Sequence, residues 1–187
     1  LLKIENACPV CGHATREGDL CSFCERAKHD FDRAFVVFSY EEPIKEIIKG
    51  YKFSGRRYYG ERFFDIMAQK LPPRVAESIS VVTSVPLHPR RFKQRGFNQS
   101  EILARGVAKR LGIEYDELLK RTVYTRKQSL RKEHQSMNGC FEALKNVYGN
   151  VLLIDDVLTT GSTADGCASE LKAAGAERVY VLTLAGG

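Results

Sequence analysis

Val151-Leu-Leu-Ile-Asp-Asp-Val-Leu-Thr-Thr-Gly-Ser-Thr163 reads as a buried strand, an acidic pair and a hydroxyl-rich turn, in that order. The apolar run Val151 to Ile154 predicts the strand, and Asp155 and Asp156 end it. Thr159 to Thr163 form a short loop around one glycine, Gly161. A helix follows, because Ala164, Cys167, Ala168 and Leu171 fall at i, i+3, i+4 and i+7, with Gly175 as its stop. A loop at a helix N-terminus offers free backbone N–H groups and the positive end of the helix dipole, which suits a phosphate. Thr159, Thr160, Ser162 and Thr163 add hydroxyl donors, and Gly161 lets the backbone approach the anion closely. Paired carboxylates beside such a loop accept hydrogen bonds from a ribose diol, or hold Mg²⁺ through water. Together these parts describe a ribose-5-phosphate site. The plainer alternative is a solvated acidic turn followed by an ordinary hydroxyl cap.

A second strand–loop–helix unit lies upstream. Ile79 to Val85 predicts a buried parallel strand, ending in Pro86-Leu87-His88-Pro89. A basic loop follows, with Arg90, Arg91, Lys93 and Arg95, and then a helix to Leu111. Ligands of open parallel sheets collect beyond the C-terminal ends of the strands. Ser84 and the basic loop should therefore face the same crevice as the 155–163 segment. The 151–163 stretch resembles the phosphoribosyl-pyrophosphate (PRPP) motif of type I phosphoribosyltransferases. The resemblance implies an α/β fold: a type I phosphoribosyltransferase-like parallel sheet flanked by helices. It implies that Asp155 and Asp156 take the ribose hydroxyls, that Thr159, Thr160, Gly161, Ser162 and Thr163 take the 5′-phosphate, and that Mg²⁺ accompanies PRPP. The basic loop, with Ser84, Arg90, Arg91, Lys93 and Arg95, would then hold the pyrophosphate.

The bulk numbers agree with one domain of ordinary size plus an appendage: 187 residues, 43% of them apolar. No run of eighteen apolar residues exists, so no membrane span is expected. The opening residues, Leu1-Leu-Lys-Ile-Glu-Asn, are mixed and do not read as a secretory signal, so a cytoplasmic protein is expected. The net charge is +6, and it is unevenly placed. From Arg90 to Lys132 there are thirteen Lys/Arg against four Asp/Glu, a surplus of nine, so the rest of the chain sums to minus three. Such a segment points to an anionic partner, either pyrophosphate or a nucleic-acid backbone; the alternative is a pair of solvated helix faces.

Near the N-terminus, Cys8-Pro-Val-Cys11 and Cys21-Ser-Phe-Cys24 supply two Cys-x-x-Cys pairs, with Gly12 to allow a sharp turn after the first. Four thiolates make a closed tetrahedral site, and soft sulfur ligands favour Zn²⁺. So short a segment cannot bury a core of its own, and a structural metal would act as its staple. Disulfides fit poorly in a cytoplasmic chain. A redox pair would need a thioredoxin-like context. An iron–sulfur cluster also takes four cysteines, and spacing alone leaves it open. His13 and His29 lie close enough to replace a cysteine, but they read better as surface or packing residues. Cys140 and Cys167 have no partner spacing. The boundary is expected near residue 28, giving a 1–28 zinc finger and a 29–187 phosphoribosyltransferase-like domain.

Between these landmarks, Phe31 to Tyr40 predicts a strand, and Ile44 to Tyr51 a helix started by Pro43. A second helix is expected from about Tyr59 to Leu71. The mixed basic and aromatic piece from Tyr51 to Tyr59 suits either base stacking with phosphate contact or a plain helix–helix turn. Glu117 to Val123 predicts a further strand. Tyr124 to Asn138, polar and basic without a clean period, suits a functional lid or a disordered loop.

A four-cysteine finger, the block Val85-Pro-Leu-His-Pro-Arg-Arg-Phe-Lys-Gln-Arg-Gly-Phe-Asn-Gln99 and the 151–163 motif follow one another along the chain. That order resembles the ComF family of competence proteins, both its ComFC and GntX types. Arg95-Gly-Phe-Asn-Gln99 is its most distinctive sign. Arg121, Thr125, Gln128, Leu130, Asn138 and Phe141 match a further family segment loosely, with His134 and Gln135 standing where an arginine is usual. The resemblance implies a cytoplasmic protein tied to natural transformation, handling single-stranded DNA beside a helicase-like competence protein. Three functions stay open. The first is a PRPP-binding DNA-uptake factor. The second is an active phosphoribosyltransferase, moving the 5-phosphoribosyl group to an unidentified acceptor with release of pyrophosphate. The third is a PRPP-sensing regulator. No residue pattern names a base-recognition hood or a catalytic residue.

Overall fold

In a computed structural model the described residues are 3–26, 28–54, 60–123, 137 and 139–187. Residues 55–59 and most of the candidate lid, 124–136 and 138, lie outside them. The chain order begins β1 (Arg33–Ser39), α1 (Ile44–Ser54), α2 (Gly60–Lys70), α3 (Pro73–Ser78) and β2 (Ile79–Ser84). It continues with α4 (Pro89–Arg95), α5 (Gln99–Leu111), β3 (Leu119–Arg121) and β4 (Phe141–Ala143). It ends with β5 (Asn150–Leu158), α6 (Ser162–Ala173) and β6 (Arg178–Gly186).

The main sheet has the order β1-β6-β5-β2, and every neighbouring pair is parallel. This is the parallel sheet flanked by helices that the sequence implies. Side chains alternate across a strand, so a central strand must be apolar on both faces. On β5, Leu152 and Ile154 enter a buried cluster with Met67 of α2 and Leu103 and Val107 of α5. Val151 and Leu153 enter the opposite cluster with Cys167 and Leu171 of α6. Cys167 is thus plain core, and burial pushes its thiol well up.

Three expectations change. The acidic pair does not end the β5 strand, which runs on to Leu158 because β6 keeps pairing with it as far as Leu158 and Gly186. The basic loop is a short helix, α4, with Pro89 in its first turn and the His88 ring nitrogen Nδ1 accepting from the Arg90 N–H at 3.2 Å. The strand expected at 117–123 shrinks to β3, which leaves the main sheet and pairs antiparallel with β4.

The cysteine-bearing segment docks on β1, the edge of the sheet. Ile4 N–H donates to Val37 O at 3.0 Å, and Ala34 N–H donates to Val10 O at 2.7 Å. The Lys70 ammonium donates to Ile4 O at 2.8 Å. Gly12 sits at φ +72°, and a Cβ there would stand 2.6 Å from Ala34 O. The edge strand is thereby covered. Among the described residues no helix is long and apolar enough to cross a membrane.

Candidate functional site

β2 ends at Ser84, which pairs with Ile154 of β5, the residue just before the acidic pair. This register brings the two sequence-predicted segments to one rim. Asp155 is half-buried and Asp156 is buried. Asp155 Oδ1 accepts from the Ser100 hydroxyl at 2.7 Å and from the Asp156 N–H at 2.8 Å. Ser100 is delivered by the start of α5. Asn98 caps that helix, its Oδ1 accepting from the Ser100 N–H at 3.1 Å, while its Nδ2 donates to Val85 O at 3.0 Å. One asparagine therefore ties the end of β2, the start of α5 and the acidic pair together. Gln99 beside it is buried, and its Oε1 finds no hydrogen-bond partner among the described residues.

Beyond the acids, Thr159 and Thr160 are exposed. Gly161 holds φ +82° as the N-cap of α6 and has no side chain to cap it, though Thr160 Oγ1 accepts from the Ser162 N–H at 3.4 Å. The Thr160 and Ser162 hydroxyls lie 2.9 Å apart. A helix start with clustered hydroxyls is the kind of place where backbone N–H groups can take an anion.

Positive charge gathers near this rim on two elements, with Arg90, Arg91 and Arg121 all within electrostatic reach of His88. Arg90, Arg91, Lys93 and Arg95 all lie on α4. Arg121 arrives from β3, its guanidinium 5.3 Å from the Phe141 ring centroid and its Nε donating to Val123 O at 3.3 Å. Burial, then the neighbouring Arg91, lowers the Arg121 pKa, whereas Asp155 acts to raise it. Partial desolvation, then Arg90, Arg121 and Arg91, likewise lowers the His88 pKa. Like charges gathered this way favour a polyanion between them. The sequence reading singled out neither Ser100 nor His88 and reached Arg121 only through a loose segment match. Ser100 is a plain serine in a helix start, and nothing local to it signals Asp155.

The four cysteines also converge. The Sγ atoms of Cys8, Cys11, Cys21 and Cys24 all lie within 4.8 Å of one another. None is in a disulfide. A tetrahedral Zn–S site with bonds of about 2.3 Å has edges of about 3.8 Å, so the cluster can hold a metal ion with small adjustment. Burial pushes the Cys8 thiol up, but backbone hydrogen bonds from Cys11, Cys21 and Val10 more than offset it and hold it at about 6. Burial raises Cys21 and Cys24, and the adjacent Cys11 sulfur raises them further. Thiols this crowded ionise together only around a cation. His13 and His29 are not in the cluster. His13 Nε2 lies 3.0 Å from Leu158 O, and His29 Nδ1 lies 2.9 Å from Asp165 Oδ2.

No protein-family model matches the chain. It is 31% identical to the DNA utilization protein YhgH of Escherichia coli, over 95% of this chain and 82% of that protein. It is also 31% identical to competence protein ComFC of Streptococcus pneumoniae, over 96% of this chain and 80% of that protein. Among solved structures, the purine phosphoribosyltransferase of Pyrococcus horikoshii aligns with a TM-score of 0.45 and 17% identity, over 69% of this chain and 74% of that one.

Proposed function

The chain belongs to the ComF family, and from that membership we propose that it binds Mg²⁺–PRPP at the β2/β5 rim and handles single-stranded DNA in natural transformation. The observation that carries this reading is the opposition of charge across one rim. In this reading Asp155 and the start of α6 supply one side, and Arg91 and Arg121, which lie within electrostatic reach of each other, supply the other. Ribose 5-phosphate suits the first set and pyrophosphate the second. Asp155 and Asp156 would take the ribose hydroxyls, and Thr159 to Thr163 the 5′-phosphate. Mg²⁺, when bound, would neutralise the pyrophosphate. The finger would hold Zn²⁺ on its four sulfurs, since soft ligands in a tetrahedral set suit that ion.

One further observation favours DNA handling over group transfer. Phe92 is 46% exposed on α4, among Arg90, Arg91 and Lys93. An exposed aromatic ring among cations is the usual means of binding single strands without sequence preference. The names of the relatives, DNA utilization and competence, agree with such a role. The work would be done in the cytoplasm, beside a helicase-like partner.

Calorimetric titration with Mg²⁺–PRPP tests the first half. Asp155→Ala and Asp156→Ala should each weaken binding, by about ten- to a hundredfold for the loss of bonds worth about 1.5–3 kcal/mol. Unchanged affinity in both would reject the assignment. Fluorescence anisotropy of a labelled oligonucleotide across a salt series tests the second half. Weak binding is expected, with a slope near −0.7 per phosphate contacted, reduced by Arg90→Glu combined with Lys93→Glu. Binding indifferent to that reversal would turn preference to an active transferase.

A further inference from the structure

Gly161, which turns the chain into α6, packs against His29, a residue just after the cysteine-bearing segment. A Cβ at this position would stand 2.7 Å from His29 Cε1 and 3.1 Å from its Nδ1. The His29 side chain is 2% exposed. Its ring stacks on Phe31, with centroids 4.3 Å apart, and meets Phe23 at 5.3 Å. Phe23 lies inside the second cysteine pair, between Cys21 and Cys24. A carboxylate only accepts, so Nδ1 donates to the two oxygens of Asp165, at 2.9 and 3.1 Å. The Asp30 N–H donates to the same carboxylate at 2.9 Å. The other ring nitrogen, Nε2, is buried with no hydrogen-bond partner among the described residues, a cost that an apolar residue here would avoid. His13, from between the two cysteine pairs, lies 3.0 Å from Leu158 O at the opposite end of the loop. A finger residue, His13, and a residue just after the finger, His29, thus touch the two ends of the 159–163 loop.

Asp165 explains why a histidine is used. It lies in the first turn of α6, and its N–H donates to Gly161 O at 2.8 Å. Its Oδ2 would lie 3.6 Å from a Cβ on Gly161. A carboxylate in a first turn is drawn back toward the free N–H groups of the helix start, by charge and by the reach of its side chain. Those N–H groups are the ones a bound phosphate would take. A free Asp165 would compete for them and would repel the phosphate as well.

We infer that His29 is a positioning residue of the phosphate loop: it clamps Asp165 on the finger side and so keeps an internal carboxylate out of the anion cradle. The inference rests on reading this loop as the phosphate site. It also gives the finger a role in ligand binding, since Phe23, inside a cysteine pair, supports the His29 ring.

The test is calorimetric titration of ribose 5-phosphate into the metal-loaded full chain, with metal content checked in every variant. Wild type should bind. His29→Ala should bind about tenfold more weakly or worse, within the usual span of coupling between neighbouring sites. Asp165→Ala should bind at least as tightly as wild type. The decisive variant is the double, His29→Ala with Asp165→Ala. It should recover to within about threefold of Asp165→Ala alone, because the competitor has gone. If His29→Ala does not fold, His29→Phe keeps a ring against Gly161 while removing the donor, and it should show the same loss and the same recovery. A loss that persists in the double variant would make His29 merely structural and overturn the inference. So would a His29 variant that binds like wild type. Failure of the wild type itself to bind would instead overturn the phosphate reading, and the inference with it.

Discussion

At Asp155 two donors converge on one carboxylate oxygen, the Ser100 hydroxyl and the Asp156 N–H. The carboxylate is therefore oriented before any ligand arrives, and little reorganisation is left to oppose binding. Arg121 is prepared differently. It is held over the Phe141 ring, partly desolvated, and within electrostatic reach of another cation, Arg91. A bound pyrophosphate would offset the repulsion between the two guanidinium groups. Arg121→Ala should therefore weaken pyrophosphate binding by about ten- to a hundredfold, the usual loss for a charged hydrogen-bond partner, and leave ribose 5-phosphate binding nearly unchanged. Arg121→Lys should recover only part of the loss, because an ammonium lacks the planar fork. Parallel titrations with the two ligands check this, and equal losses for both would place Arg121 outside the pyrophosphate side.

At the scale of elements, the join between β2 and α5 matters most. Asn98 serves as helix cap through Oδ1 and as a strand-end tie through Nδ2. The two duties can be separated. Asn98→Asp keeps the cap acceptor and loses the donor to Val85 O, whereas Asn98→Ala loses both. Denaturant unfolding should show Asn98→Ala less stable by about 1–2 kcal/mol, with Asn98→Asp between it and wild type. Mg²⁺–PRPP affinity should fall in the same order, because Ser100 rides on this cap. Equal stability of all three proteins would mean that the cap is idle. The α4 helix follows the same logic: a proline and a histidine cap convert an expected loop into a turn of helix that arrays four cations.

At the scale of the whole molecule, the finger and the sheet share one core. Ile4, Cys8 and Cys11 belong to the same buried cluster as Val151, Leu153, Cys167 and Leu171. Removing the metal should therefore reach beyond the finger. Chelation, or Cys8→Ser, is expected to give a single thermal transition lowered by about 10 °C or more, at about 2–4 °C per kcal/mol for a chain of this size. Two separate transitions, with the upper one unmoved, would show instead that the sheet domain stands alone. Calorimetry with and without a chelator distinguishes the two.

Much of this protein was legible along the chain because the determinants are local. The Cys-x-x-Cys spacing brings sulfurs together within one turn, and the 151–163 stretch carries its own strand, acids and helix start. The apolar run of β5 declared a strand buried on both faces. Other features depend on which distant segments the sheet order makes neighbours. Ser100 meets Asp155 across 55 positions, His29 meets Asp165 across 136, and His13 meets Leu158 across 145. The last strand, β6, inserts between β1 and β5, and this brings the start of the chain to its end. Nor could the sequence show that β5 would continue through its acids, since the backbone partners that extend it belong to β6. Residue chemistry along the chain thus named the candidate groups of a site, its acids, hydroxyls, cations and cysteines, but not Ser100 or His88. Long-range backbone pairing, which leaves no local periodicity to read, decided what holds it in place.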